Sequence, residues 1–304
     1  METIGIDLGN CNLKTSKKII VPALITKRGN YLISTGYEIN FNGELLIIGE
    51  GDYDTNLNKL SKENLLPMLC LATGLSTKEE FIRVVLGLPI NQYKSNKDKM
   101  LEIIEGNKVL NFKLNGLDRC ICIEEAAIFP EGVATYYSLD IEKRKALVDQ
   151  DLIILDIGGR TTDIALLKAG KKRSVAKSTS LDVGMINIYS DMINEINSLY
   201  TLGLNIEDAE RILKNGLEVD GEKQDTSFIK NIVRNNIEKV FKELNINYPV
   251  RTSPLLVTGG GGKSFFKSLK KRYPAAQLVE DNLFSNAIGY KRVGEKLWQD
   301  YEFL

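Results

Sequence analysis

Apolar residues fall along this chain in two rhythms, and each predicts a different kind of element. Short continuous runs, Thr3 to Leu8, Phe81 to Leu88, Ile153 to Leu155 and Leu255 to Val257, read as strands buried on both faces. Returning or alternating runs predict further strands at Leu13-Lys14, at Ile19 to Ile25 with Pro22 as a break, and at Tyr31 to Thr35. The same signal recurs at Glu44 to Ile48 after the Asn42-Gly43 turn, Lys108 to Leu114, Leu117 to Ile123, Ile164 to Leu167 and Ser174 to Leu181. Helical spacing marks Asn58 to Leu75, where Pro67 signals a break or a start, then Gln92 to Glu105, Ile186 to Tyr200 and Phe265 to Lys271. The most regular helix runs from Ser227 to Leu244, with Ile229, Ile232, Val233, Ile237, Val240, Phe241 and Leu244 on one packing face. Asn205 followed by Glu207-Asp208 predicts a capped helix through Lys214, and a terminal helix runs from about Asn286 through Trp298. The Ala-rich stretch around Glu131 reads as a helix start, with Pro130 in its first turn.

Strands alternating with helices predict an α/β fold. Within it, Ile4 to Lys14 echoes Ile154 to Lys168: a strand ends in Asp7 or Asp156, a glycine turn follows, and a second strand returns. Turns such as Gly9-Asn10-Cys11-Asn12 and Gly158-Gly159-Arg160-Thr161-Thr162 can turn amides and hydroxyls toward a phosphate, with a carboxylate alongside for a metal ion. Either hairpin alone could equally be an ordinary Gly-rich turn. The strand Leu255 to Val257 runs into Thr258 and the four glycines Gly259, Gly260, Gly261 and Gly262 before a helix, the position at which α/β proteins bind nucleotides. Two similar halves facing one another make a natural clefted site.

A length of 304 residues accommodates about two domains. Forty basic residues balance forty acidic ones, so direct nucleic-acid or anionic-membrane binding is not expected. Histidine is absent, which excludes Ser-His-Asp and Cys-His catalysis and leaves carboxylates, lysines and hydroxyls to do chemistry. Cys11, Cys70, Cys120 and Cys122 lack zinc or CxxC spacing and are expected as reduced thiols. The first residues enter a strand directly and no apolar run reaches membrane-spanning length, so a cytoplasmic protein is expected.

Taken in order, DLGNCNLK from Asp7, PEG with Glu131, DIGGRTTD from Asp156, TGGGG from Thr258 and NAIG from Asn286 resemble five nucleotide-binding segments. These are the segments of the actin, sugar kinase and heat-shock-chaperone ATPase superfamily, and the pattern looks most like its bacterial actin-like plasmid-segregation proteins, the ParM group. The resemblance implies an actin-like ATPase fold: two related ribonuclease-H-like domains around a nucleotide cleft, each with a smaller subdomain. It implies a first domain over residues 1–150, with a subdomain near 31–80, and a second over 151–304, with a subdomain near 184–249. The last helix, near 286–298, would pack back on the first domain.

Carried over by position, Asp7 and Asp156 would reach Mg²⁺ through water, Asp156 also orienting water. Gly9, Asn10, Cys11, Asn12 and Lys14 would lie against the terminal phosphates of ATP or GTP. Gly158, Gly159, Arg160, Thr161 and Thr162 would wrap them from the other side. Glu131 would position or activate the hydrolytic water. Gly259 to Gly262 would receive the adenosine, Gly184 would pack near the nucleotide, and Glu207, Arg211 and Asn286 would complete its binding residues. Cys11 stands where relatives often carry a hydroxyl; Arg160 is expected to face solvent and pair with Asp163 rather than touch phosphate. Taken singly, Glu131 could be a dipole-stabilising helix-start carboxylate and Lys14 a strand-edge lysine. The implied function is an NTPase whose filaments grow on nucleotide binding and segregate plasmid DNA through an adaptor protein. A small-molecule kinase of the same fold and a non-motile cytoskeletal scaffold are the alternatives.

Overall fold

A computed structural model describes residues 1–27, 35–53, 59–61 and 64–299. The strand expected over Tyr31 to Thr35 lies, apart from Thr35, outside the described residues. The first half supplies strands β1 (Glu2–Leu8), β2 (Asn12–Thr15), β3 (Ile20–Pro22), β4 (Leu24–Lys27), β5 (Tyr37–Phe41), β6 (Glu44–Ile48), β7 (Asp52–Tyr53), β8 (Phe81–Leu88), β9 (Val109–Leu114) and β10 (Leu117–Pro130). They form one sheet in the order β3-β2-β1-β8-β10-β9-β5-β6-β4-β7. Helices α1 (Leu65–Ser76) and α2 (Ile90–Glu105) flank it, and α3 (Ala134–Ser138) and α4 (Ile141–Leu147) lead out of it. Pro67 sits in the first turn of α1, where a missing N–H does no harm.

The second half opens with β11 (Leu152–Ile157), β12 (Thr162–Leu167) and β13 (Val175–Leu181). Helices α5 (Met185–Tyr200) and α6 (Asp208–Asn215), the small hairpin β14 (Glu218–Val219) and β15 (Glu222–Lys223), and α7 (Ile229–Asn247) follow. Asn205 lies in the turn before α6 rather than capping it; Glu207 holds the cap position. Strands β16 (Leu255–Thr258) and β17 (Ala276–Leu278) flank α8 (Gly262–Arg272), and α9 (Ser285–Gln299) ends the described chain. The second sheet runs β13-β12-β11-β16-β17.

Both sheets are thus built alike: an antiparallel three-strand meander followed by parallel strands. In the first, β1 pairs antiparallel with β2 and parallel with β8, which pairs parallel with β10. In the second, β11 pairs antiparallel with β12 and parallel with β16. The parallel strands read as continuous apolar runs because both faces are covered; Ile4, Ile6, Val84, Val85, Leu86 and every residue of β11 are buried.

One sequence expectation shifts at the end of β10. Pro130 does not sit in the first turn of a helix: the strand begun at Leu117 runs on to Pro130, Glu131 lies in the turn that follows, and the helix starts only at Ala134. Pairing with β8, Ala126 beside Val84 and Ile128 beside Leu86, overrides the local helix preference of alanine.

The halves exchange helices. Val133, Tyr136, Leu139 and Leu147 of the α3 and α4 region pack on Leu152, Ile154 and Leu256 of the second sheet. Helix α9 returns in the opposite direction: Tyr290 and Trp298 pack with Val85 of the first sheet. No helix among the described residues is long and apolar enough to cross a membrane.

Candidate nucleotide cleft

The β1–β2 and β11–β12 hairpins point their turns into one cleft of about 640 Å³. Gly9, Asn10, Cys11 and Asn12 line it from one side, and Gly158, Gly159, Arg160 and Thr161 from the other. Pairing register decides which side chains meet there. Asp7 stands opposite Lys14 in the first hairpin, and the Lys14 ammonium donates to Asp7 Oδ2 at 3.0 Å. At the equivalent place in the second hairpin Asp156 stands opposite Asp163. The Gly158 N–H donates to Thr161 O at 2.8 Å and closes the second turn. The Met185 and Ile186 N–H groups at the start of α5 bond to the Gly158 and Gly159 carbonyls at 3.2 and 2.7 Å.

The two turns touch. A side chain on Gly159 would collide with the Cys11 thiol, so glycine is required for this approach. Behind them, Gly259 has φ +84°, and a Cβ there would strike the Asp156 carboxylate and the Ile157 carbonyl. Gly259, Gly260, Gly261 and Ser264 form a third wall beside the α8 N-terminus. The Gly261 N–H donates to Ile157 O at 2.9 Å, and Asn282 Nδ2 to Gly259 O at 2.7 Å.

Glu131 enters just past the end of β10. Its N–H donates to Leu88 O at 2.8 Å, and Gly132 follows in the left-handed region at φ +72°. Its Oε1 accepts a hydrogen bond from the buried Lys59 ammonium, which also donates to Gly87 O at 3.3 Å. Asn286, in the first turn of α9, ties this turn to the second hairpin: Oδ1 accepts from Gly132 N–H at 2.9 Å and Nδ2 donates to Asp156 Oδ2 at 2.8 Å.

Asp7, Glu131, Asp156 and Asp163 therefore face one space, and burial separates their behaviour. Burial raises Asp7, but the charges of Lys14 and Lys59 outweigh it and hold the group below the ordinary aspartate range. Asp156 is pushed up to about 7, chiefly by burial and further by Asp163 and Asp7, against the pull of Lys14 and Asn286. Burial likewise raises Glu131, with Lys59 opposing and Asp7 and Asp163 adding, and raises Asp163 against its hydrogen bonds from Ser180 and Thr161. Burial pulls Lys14 down, but Asp7, Asp156 and Glu131 more than offset it, so the ammonium is held above its usual range. Among the described residues no group of three His, Cys, Asp or Glu is set to ligate a metal directly. Asp7 and Asp156 facing an open cleft fit a Mg²⁺ ion that keeps its waters, not an all-protein cage.

Several expected positions fall outside the cleft lining. Thr162 is buried and its hydroxyl donates to Val183 O at 2.6 Å, because alternation along β12 turns it away from Thr161 and Asp163. Gly184 backs the second turn, where any Cβ would strike the Gly159 carbonyl. Gly262 is drawn into the first turn of α8, and Arg211 is exposed and paired with Asp208 at 2.7 Å. Arg160, expected to face solvent, lines the cleft instead, and Asp163 accepts from Thr161 at 3.2 Å. Glu207 and Asn286 line the cleft. The sequence reading missed Lys59, Asp163, Tyr53, Tyr189 and Glu210. Tyr189 donates to Glu210 Oε1 at 3.2 Å, and burial, then the neighbouring Cys11, Glu207 and Glu210, raises the Tyr53 phenol.

Residues 5–133 match the family of actin-like proteins, N-terminal domain, and residues 154–271 match that of the archaeal actin homologue MreB-like, C-terminal. Among solved structures, the chain is similar to a 15-stranded ParM filament from Clostridium botulinum: 23% identity, 97% of this chain and 100% of that one, TM-score 0.82. A non-polymerisable quadruple mutant of pCBH ParM gives 22% identity over 97% of this chain and 99% of that one, TM-score 0.82. An archaeal actin homologue in complex with ADP gives 21% identity over 97% and 100%, TM-score 0.81. A sequence search of the curated proteins gave no match.

Proposed function

This chain is an actin-like protein in both its halves, and from that premise we propose that it binds ATP or GTP with Mg²⁺ in the cleft, polymerises in that state, and hydrolyses the nucleotide to drive disassembly. The observation that carries the reading is the convergence of the Asp7 hairpin, the Asp156 hairpin and the Gly259–Gly261 loop on one space of about 640 Å³. Small-molecule sites typically span about 300–1,000 Å³. Backbone-rich glycine turns beside Lys14 suit the phosphates, and the end carrying Tyr53, Tyr189, Glu207 and Glu210 suits the base and ribose.

Mg²⁺, held by Asp7 and Asp156 through water, would offset the charge of the terminal phosphates. Glu131 accepts a hydrogen bond from the attacking water. The water oxygen bonds to the terminal phosphorus as the bond to the bridging oxygen breaks, and the water's proton passes by way of Glu131 to the released phosphate. Residues 1–150 and 151–304 act as the two lobes that close on the nucleotide. Head-to-tail contacts that do not close then build a filament, a reading supported by the filament that the Clostridium botulinum relative forms. Balanced charge favours an adaptor between filament and plasmid DNA over direct binding.

The test is light scattering and phosphate release followed together after adding ATP or GTP with Mg²⁺. Scattering is expected to rise and then decay as phosphate accumulates. A small-molecule kinase of this fold would stay in solution and release no phosphate; that outcome contradicts the proposal.

A further inference from the structure

Lys59 is the least expected member of the site. It lies in a short turn (Lys59–Ser61) between β7 and α1, and its stem passes Leu8, Leu13, Leu65 and Met68 in a small apolar pocket. The residue is only 2% exposed. An ammonium held there is costly unless paired, and its partners are Glu131 Oε1 and the Gly87 carbonyl. The pairing is one-sided. Glu131 lines the cleft, and among the described residues no hydrogen bond engages its Oε2. One carboxylate oxygen is therefore pinned by Lys59, while the other oxygen of this cleft-lining side chain has no hydrogen-bond partner among the described residues.

We propose that Lys59 is a positioning residue for hydrolysis: by holding Glu131 Oε1 beside the C-terminal end of β8 it fixes Oε2 toward the water that attacks the terminal phosphate. This rests on the reading of the cleft as a nucleotide site. The geometry assigns Lys59 no contact with substrate, so its removal should spare binding and assembly and slow turnover. A mere structural pin would instead lower stability and leave turnover per folded molecule unchanged.

The experiment compares wild type, Lys59→Met, Lys59→Arg, Glu131→Gln and the two double variants. Nucleotide affinity is measured by calorimetry and kcat by phosphate release, per mole of binding-competent protein. Lys59→Met is expected to keep nucleotide affinity within about threefold and to lose about tenfold or more in kcat, a fraction of what a general base supplies. Lys59→Arg should recover part of that loss. Residues acting as one unit are not additive, so Lys59→Met should slow Glu131→Gln by no more than about twofold. If Lys59→Met does not fold, the Lys59→Arg and Glu131→Gln cycle decides in the same way, its loss vanishing in the Gln background. An active wild type with Lys59→Met at full kcat, or additive losses in the double variant, overturns this inference alone. A wild type that binds no triphosphate overturns it together with the reading it rests on.

Discussion

Asn286 donates to Asp156 Oδ2 at 2.8 Å while its own carbonyl oxygen accepts from the Gly132 N–H at 2.9 Å. One amide therefore joins the turn that carries Glu131 to the hairpin that carries Asp156, and it does so only because an amide is donor and acceptor at once. Asn286→Asp keeps the shape but sets a second carboxylate against Asp156. The variant should be destabilised, and more at pH 8 than at pH 5, where a shared proton relieves the repulsion. Urea unfolding at the two pH values measures this; equal losses at both would contradict it.

Asp156 should make stability depend on pH in the nucleotide-free protein. Its folded value, about 7, lies above the ordinary 3.8, so the folded state binds a proton that the unfolded chain releases. The stabilisation is full below 3.8 and is lost as pH rises to about 7. Relative to wild type, Asp156→Asn should therefore gain stability on going from pH 5 to pH 8. A difference in unfolding free energy that does not move with pH would count against the burial of this carboxyl.

Tyr290 is fully buried, and its hydroxyl has no hydrogen-bond partner among the described residues. Removing an unsatisfied buried hydroxyl is neutral or favourable, so Tyr290→Phe should be no less stable than wild type and up to about 1 kcal/mol more stable. Thermal unfolding checks it. A loss of stability would mean that the hydroxyl has a partner in solution.

Cys11 lines the cleft against Gly159, whereas Cys120 is exposed elsewhere and Cys70 is buried, its thiol pushed up to about 12 by that burial. Iodoacetamide should label Cys11 and Cys120 and spare Cys70. Saturating nucleotide with Mg²⁺ should slow labelling at Cys11 at least about tenfold and leave Cys120 unchanged. Peptide mass spectrometry reads both rates; equal labelling of Cys11 with and without nucleotide would place the ligand elsewhere.

The sheets and hairpins were legible because buried parallel strands are apolar throughout and Asp-Gly turns interrupt them sharply. Asp163 was legible in principle: an antiparallel hairpin that sets Asp7 against Lys14 sets Asp156 against Asp163, and the same alternation sends Thr162 inward. Glu131 is legible as a residue but not in its setting: the sequence points to a helix start there, whereas pairing with β8 carries the strand on to Pro130 and leaves Glu131 in a turn. Lys59 and Tyr53 were not legible at all. They come from short elements without periodicity, and only tertiary packing brings Tyr53 to the cleft and Lys59 to Glu131.

The proposed function requires one ligand bound between Asp7 and Asp156. Calorimetric titration of wild type, Asp7→Ala and Asp156→Ala with ATP or GTP in Mg²⁺ tests it. Wild type should bind one nucleotide per chain, and each alanine variant, folded by circular dichroism, should bind at least about tenfold more weakly, the loss of about 1.4 kcal/mol. Wild-type affinity in both variants would contradict a nucleotide held between Asp7 and Asp156.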